Sequence, residues 1–189
     1  ASDVYKRQVY QNPAFGTCPS MTILENMSLA DHKGKFFGLQ RGVSKKRMEY
    51  YQELLKPLNL GLEDKMHVKV GSLSGGQRQA LTLLMATLVT PRLLLLDEHT
   101  AALDPATAEK VLALTQSIVA EKKITCLMVT HNMHQALELG NRTLMMDGGR
   151  VVFDVQGEQR RRMTVDDLLE KFRENAGQAL DNDRILLSK

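Results

Sequence analysis

The sequence predicts an α/β fold, a mostly parallel sheet flanked by helices and joined to a helical subdomain. Three observations predict it. Leu93–Leu96 and Ile124–Val129 are short, continuous apolar runs, the form expected of strands covered on both faces. A helical pattern follows each run, and such alternation builds parallel sheets with right-handed crossovers. The stretch from Gln11 to Val70, by contrast, carries helix signals and no convincing strand.

The elements follow in order. Asp3-Val4-Tyr5-Lys6-Arg7-Gln8 resembles the translation of a transposon end used in sequencing-library preparation. Residues 1–8 are therefore set aside, and the natural sequence is expected to begin near Val9. Val9 to Pro13 reads as a strand end running into a loop. Thr22-Ile23-Leu24-Glu25 is a capping box that opens a helix to about Ala30. Lys33 to Gly42 is a polar surface connection, and Ser44 caps a second helix ending near Pro57 to Gly61.

From Leu73 the character changes. Gln77 to Val89 carries a helical apolar stripe, which Pro91 ends. Asp104-Pro105 is a cap followed by proline at the first helical position. The helix it opens places Ala108, Val111, Leu112, Thr115 and Ile118 on one face. After Ile124–Val129 another helix ends at Gly140. Thr143–Met146 and Val151–Val155 flank Asp147-Gly148-Gly149-Arg150, a hairpin signal. Thr164 caps a last amphipathic helix to about Arg173.

Composition narrows the function classes. Apolar residues make up 43 % of the 189, enough for a packed core. The 25 basic residues nearly balance the 22 acidic ones, which speaks against a dedicated nucleic-acid binder. Cys18 and Cys126, the two cysteines, lack metal-ligand spacing, so a reducing compartment fits better than a disulfide framework. No apolar stretch approaches the roughly 20 residues that span a bilayer. Arg160–Arg162 reads as a solvated run, Met145 and Met146 as packing residues, and Tyr50 and Tyr51 as members of a surface helix.

Three segments carry chemistry. In Leu73-Ser74-Gly75-Gly76-Gln77, two glycines after a serine open a helix. Their free N–H groups and the positive helix end suit a phosphate, although the same residues also make an ordinary helix start. Asp97-Glu98 follows the Leu93–Leu96 strand, at the carboxyl edge where open α/β sheets bind ligands. Asp97 would hold Mg²⁺ and Glu98 would orient the attacking water; read alone, the pair is also a solvated strand end. Val129-Thr130-His131 delivers a histidine to the corresponding edge of the next strand. His32, His67 and His134 read as ordinary surface or capping residues.

The order of these motifs resembles the ABC transporter ATP-binding subunit, a P-loop NTPase of the ABC ATPase type, over roughly Val9 to Phe172. Leu73–Gln77 is similar to the signature sequence and Leu93–Asp97 with Glu98 to Walker B plus the catalytic glutamate. Ala102-Leu103-Asp104 resembles the D-loop, His131 the switch histidine, and Gln11 the Q-loop glutamine. The resemblance implies ATP and Mg²⁺ as cofactors, with Glu98, His131 and Gln11 catalytic and Asp97 and Gln11 at the metal. It implies that Ser74, Gly75, Gly76, Gln77 and Asp104 serve the ATP of a second, head-to-tail subunit. It also implies transmembrane permease partners, an extracytoplasmic solute-binding protein, and a peripheral place on the cytoplasmic face of the membrane. Residues 9–72 would be the Q-loop and helical subdomain, 73–157 the RecA-like core, and 158–189 a C-terminal helix and tail.

Two departures qualify the resemblance. No Gly-x-x-x-x-Gly-Lys-Ser/Thr segment occurs in the sequence. The family carries it upstream of the position of Gln11. An amino-terminally truncated chain is therefore expected, lacking the first strand and Walker A, poorly stable and inactive in ATP hydrolysis by itself. His99 stands where the family usually has proline, which would push the preceding residue toward extended geometry. Without it Glu98 is expected to be held only by packing. Asp-Glu-His-Thr resembles a bacterial subgroup found beside tryptophan-type solute-binding proteins, which implies import of a small solute such as an amino acid. A soluble ABC-type ATPase acting on nucleic acid or ribosomes, or a non-catalytic fragment, stays open. Long coiled-coil insertions are missing from the sequence, and Asp97, Glu98 and His131 are all intact.

Overall fold

A computed structural model describes residues 6–33 and 44–174. Most of the expected Lys33-to-Gly42 connection, the tail after Gly177 and the first five residues lie outside that range. The chain divides into two compact units that meet in sequence at Val129 and Thr130. No helix among the described residues is long and apolar enough to cross a membrane.

In the first unit, β1 (Lys6–Val9), β2 (Leu93–Asp97) and β3 (Thr125–Val129) form a parallel sheet in the order β1-β2-β3. Val9 sits opposite Leu96, and Asp97 opposite Val129. Leu94 and Leu96 of the middle strand are buried with Val9, Leu83, Ile118 and Ile124, which makes the core under the sheet. The opposite face of β2, Leu93 and Leu95, is half-buried. β3 departs from the expected strand covered on both faces: Leu127 and Val129 are 51 % and 52 % exposed. β3 is an edge strand, and only its Cys126 and Met128 side packs on that core.

Three of the residues set aside at the amino terminus, Lys6 to Gln8, lie in β1. Side chains alternate along a strand, so Arg7 shares its buried face with Val9.

The crossovers are α3 (Gly75–Leu88) between β1 and β2, and α4 (Pro105–Glu121) between β2 and β3. Asp104 caps α4 as expected, its carboxylate accepting from the Thr107 amide at 3.0 Å. Val111, Thr115 and Ile118 are the buried members of the α4 stripe.

The stretch between β1 and α3 is helical. Thr22 and Glu25 close the capping box of α1 (Ile23–Asp31), with the Thr22 amide donating to Glu25 Oε2 at 2.7 Å. Ser44 caps α2 (Lys45–Leu55). The sole extended pairing among the described residues there is an isolated bridge between Thr22 and Lys69. Ile23, Met27, Leu55, Leu62 and Leu81 pack into a second core. Tyr51 corrects the surface reading: it is fully buried, and its hydroxyl donates to Asp31 Oδ2 at 2.9 Å, while Arg47 pairs with the same carboxylate. Tyr50, 48 % exposed, fits the reading.

In the second unit, α5 (Met133–Glu138) precedes the antiparallel hairpin of β4 (Arg142–Asp147) and β5 (Arg150–Gln156). Gly148 and Gly149 take φ of 52° and 77°, the two left-handed positions of a type I′ turn. Strand alternation turns Met145 inward, 8 % exposed, and Met146 outward, 61 % exposed, so only Met145 is a packing residue. α6 (Gly157–Arg162) corrects the arginine run. Arg160 is buried, its Nε donating to Thr143 Oγ1 at 2.8 Å and its terminal nitrogen to the Leu139 carbonyl at 2.6 Å. Arg161 and Arg162 are solvated and pair with Glu158. Thr164 and Asp167 cap a final helix, α7, over 165–174.

Candidate functional site

β1 and β2 run parallel and in register, so both strands end at one sheet edge. Asp97, the last residue of β2, is exposed there. Gln11 lies two residues beyond Val9 on the same edge, also exposed. Glu98 is half-buried and takes φ 43°, a left-handed conformation that a residue with a Cβ rarely adopts. Its amide donates to the Val129 carbonyl at 3.1 Å, and its carbonyl accepts from the Ala101 amide at 2.9 Å. The chain thus turns sharply at Glu98, between the strand and the approach to α4.

The next residue corrects an expectation. His99 is 2 % exposed, and its Nε2 lies 3.1 Å from Thr115 Oγ1 on α4. A directional bond therefore anchors the residue after Glu98, so the turn is not held by packing alone. Burial pushes the imidazole down to about 4, so it is neutral at physiological pH.

At the start of α3, Ser74 Oγ accepts from the Gln77 amide at 3.2 Å, and Gln77 Oε1 accepts from the Ser74 amide at 3.2 Å. This capping box leaves the Gly75 and Gly76 amides at the first two helical positions, where no intrahelical acceptor exists. The Gln77 side chain is engaged at both ends, because its Nε2 donates to the Leu60 carbonyl at 3.0 Å. Gly76 brings this helix start against α4: a Cβ there would lie 2.1 Å from Thr107 Cγ2. Asp104 and the Ser74–Gly76 turn therefore flank one helix–helix contact. The Thr107 hydrogen bonds hold the Asp104 carboxyl below the usual carboxylate range.

The first unit thus gathers the expected residues into two places: Gln11, Asp97 and Glu98 at the sheet edge, and Ser74 to Gln77 beside Asp104. His131 belongs to the second unit, two residues beyond the end of β3 in the chain. It is exposed, just ahead of α5, whose start is capped by Asn132.

Sequence reasoning missed the His99–Thr115 pair. Its signal was a histidine in place of an expected proline and a single polar residue, Thr115, in an apolar helix stripe. The buried Asp31–Arg47–Tyr51 cluster had no such signal. Its partners are 20 residues apart in sequence.

The donor set fits a magnesium nucleotide. No group of three or more His, Cys, Asp or Glu among the described residues forms a protein cage for a metal. Mg²⁺ ordinarily takes one or two carboxylates and completes its shell with water and phosphate oxygens, which a single exposed Asp97 suits. The glycine-flanked start of α3 offers the free amides that a phosphate takes.

A family model described as ABC transporter matches residues 5–101. The chain is 49 % identical over 173 residues to a tyrosine transport ATP-binding protein of Clostridioides difficile, covering 89 % of this chain and 68 % of that protein. It is 33 % identical to a glutamine transport ATP-binding protein of Geobacillus stearothermophilus, covering 77 % of this chain and 57 % of that one. Among solved structures, an ABC transporter assigned to the metal-chelate type, in an inward-facing conformation, matches with a TM-score of 0.68. That match has 26 % identity and covers 89 % of this chain and 64 % of that one. The chain thus spans roughly two thirds or less of the length of these relatives.

Proposed function

Because this chain belongs to the ABC transporter family of ATP-binding proteins and has a P-loop NTPase fold, we propose that it couples ATP hydrolysis to solute import. The single observation that carries the reading is the sharp turn at the end of β2. There an exposed Asp97 and a left-handed Glu98 stand at the carboxyl edge of a parallel sheet.

The proposed roles follow from that edge. ATP with Mg²⁺ supplies, when bound, the phosphoryl group to be transferred and the charge neutralisation that transfer needs. Asp97 holds the ion, with Gln11 beside it on the same edge. Glu98 takes the proton of the attacking water as general base, and His131 donates a hydrogen bond to the terminal phosphate. Ser74 and the amides of Gly75 and Gly76 contact the terminal phosphate of a second, head-to-tail subunit, Gln77 shapes their turn, and Asp104 links the two sites.

In this reading residues 9–72 carry the Q-loop and helical subdomain that meets the permease. Residues 73–157 form the catalytic core, and 158–189 the C-terminal helix and tail. The protein works at the cytoplasmic face of the membrane beside transmembrane permease subunits. The solute proposed is an amino acid, supplied by an extracytoplasmic binding protein. Relatives named for tyrosine and glutamine transport support that class.

The test is Glu98→Gln in the complete gene product assembled with its permease. Turnover should fall by about 100-fold or more, the scale of a lost general base, while ATP stays bound and unhydrolysed in the assembled complex. Unimpaired turnover would remove Glu98 from the role of base.

A further inference from the structure

We propose that His99 and Thr115 form a hydrogen-bonded strut that positions Glu98, making His99 a positioning residue for ATP hydrolysis. The inference rests on Glu98 being the base. It assigns a function to the position where proline was expected.

The backbone states the problem. A residue with a Cβ in the left-handed region persists only where its surroundings over-determine it, because the conformation is intrinsically unfavourable. Glu98 is in that state, with φ 43°. Two main-chain bonds hold it, one on either side: its amide to Val129 O of β3 at 3.1 Å, and its carbonyl to the Ala101 amide within the turn at 2.9 Å. Neither ties the turn to the body of α4.

His99 supplies that restraint. The Thr115 hydroxyl donates to the Val111 carbonyl one turn back, at 2.7 Å. A hydroxyl has a single proton, so toward His99 the same oxygen can only accept. His99 must therefore carry its proton on Nε2 and donate across the 3.1 Å gap. Both partners are 2 % exposed, so water offers no substitute for the bond. The segment from Glu98 to Asp104 is consequently closed at two points on one helix. Covalently it enters α4 at Asp104, and through His99 it is pinned three turns further along. A proline at this position would lack the donor and would bias Glu98 away from φ 43°.

Three variants of the complete gene product assembled with its permease test the strut, with ATPase kinetics and nucleotide binding as readouts. Thr115→Val keeps the shape and removes the acceptor. It should lower kcat by about 10- to 100-fold, the scale on which small misplacements of a reacting group act, with nucleotide affinity unchanged. Thr115→Ser should restore most of the rate, and Glu98→Gln should abolish turnover. If Thr115→Val keeps full kcat while Glu98→Gln loses it, the strut is overturned and the base assignment stands. If Glu98→Gln is also active, the base assignment fails and the strut with it. Equal losses in the Val and Ser variants would make Thr115 a packing residue only and overturn the proposal. Should Thr115→Val fail to fold, nitrogen NMR of the folded wild type decides: a proton on Nε2 of His99 is expected, and one on Nδ1 overturns the strut.

Discussion

Gly75 and Gly76 stand side by side, yet the space around them differs. A Cβ on Gly76 would meet Thr107 Cγ2 at 2.1 Å, whereas one on Gly75 would meet Leu103 Cδ2 at an ordinary 3.5 Å. Threonine is β-branched, so few χ1 wells are open to Thr107 in a helix and relieving the clash costs energy. Gly76→Ala should therefore destabilise the protein by about 1–3 kcal/mol, the usual cost of overpacking. Gly75→Ala should cost nothing measurable in stability, since alanine is the better helix former by roughly 1 kcal/mol. Denaturant midpoints of the two variants check this; equal midpoints would show that the Thr107 contact is relaxed freely. Adjacent glycines after a serine were legible as a backbone-approach motif. That one of them faces a helix 31 residues away in sequence was not, because nothing local encodes it.

Between elements, the same distinction separates what could be read from what could not. The caps at Thr22, Ser44, Ser74, Asp104 and Thr164 were legible because each is written in three or four consecutive residues. The polar pair after Leu93–Leu96 was legible for the same reason, and so was the Gly148-Gly149 turn. Met146 was misread although the period-2 alternation of a strand already points it opposite to Met145; Tyr51 and Arg160 were misread because a tertiary partner decides their burial. Their energetics should show it. Tyr51→Phe removes the donor to a buried Asp31 that already pairs with Arg47, so a loss of about 1–3 kcal/mol is expected. Arg160→Ala leaves Thr143 Oγ1 and the Leu139 carbonyl without their donor and should cost a similar 1–3 kcal/mol or so. Arg161→Ala breaks only an exposed pair with Glu158 and should change stability by less than about 0.5 kcal/mol. Thermal or chemical unfolding of the paired arginine variants is the check. A solvated Arg160 would give two equal, small effects.

For the molecule as a whole, the buried imidazole of His99 writes a signature into acid stability. Burial lowers it from 6.5 to about 4, whereas an unfolded chain leaves it near 6.5. Between those values the unfolded state binds the proton and the folded state does not. Stability is therefore full above pH 6.5, declines as pH falls below it, and stops declining from this source near pH 4. The hydrogen bond to Thr115 does not offset the decline, because Nε2 donates in both protonation states. The total is on the order of 3 kcal/mol for a group this buried. The carboxyls of Glu25, Asp104, Asp154 and Asp167 are all lowered from their ordinary values by hydrogen bonds to their partners. Their contributions are lost at lower pH than most of the His99 window, so the two regimes separate. His99→Gln retains a side-chain N–H donor for Thr115 but cannot titrate. Denaturation of wild type and His99→Gln at pH 7, 5.5 and 4.5 should give a steep decline in the first and a shallow one in the second. Parallel declines would mean that the imidazole is hydrated in the folded protein and that the wall of packing around residue 99 is open.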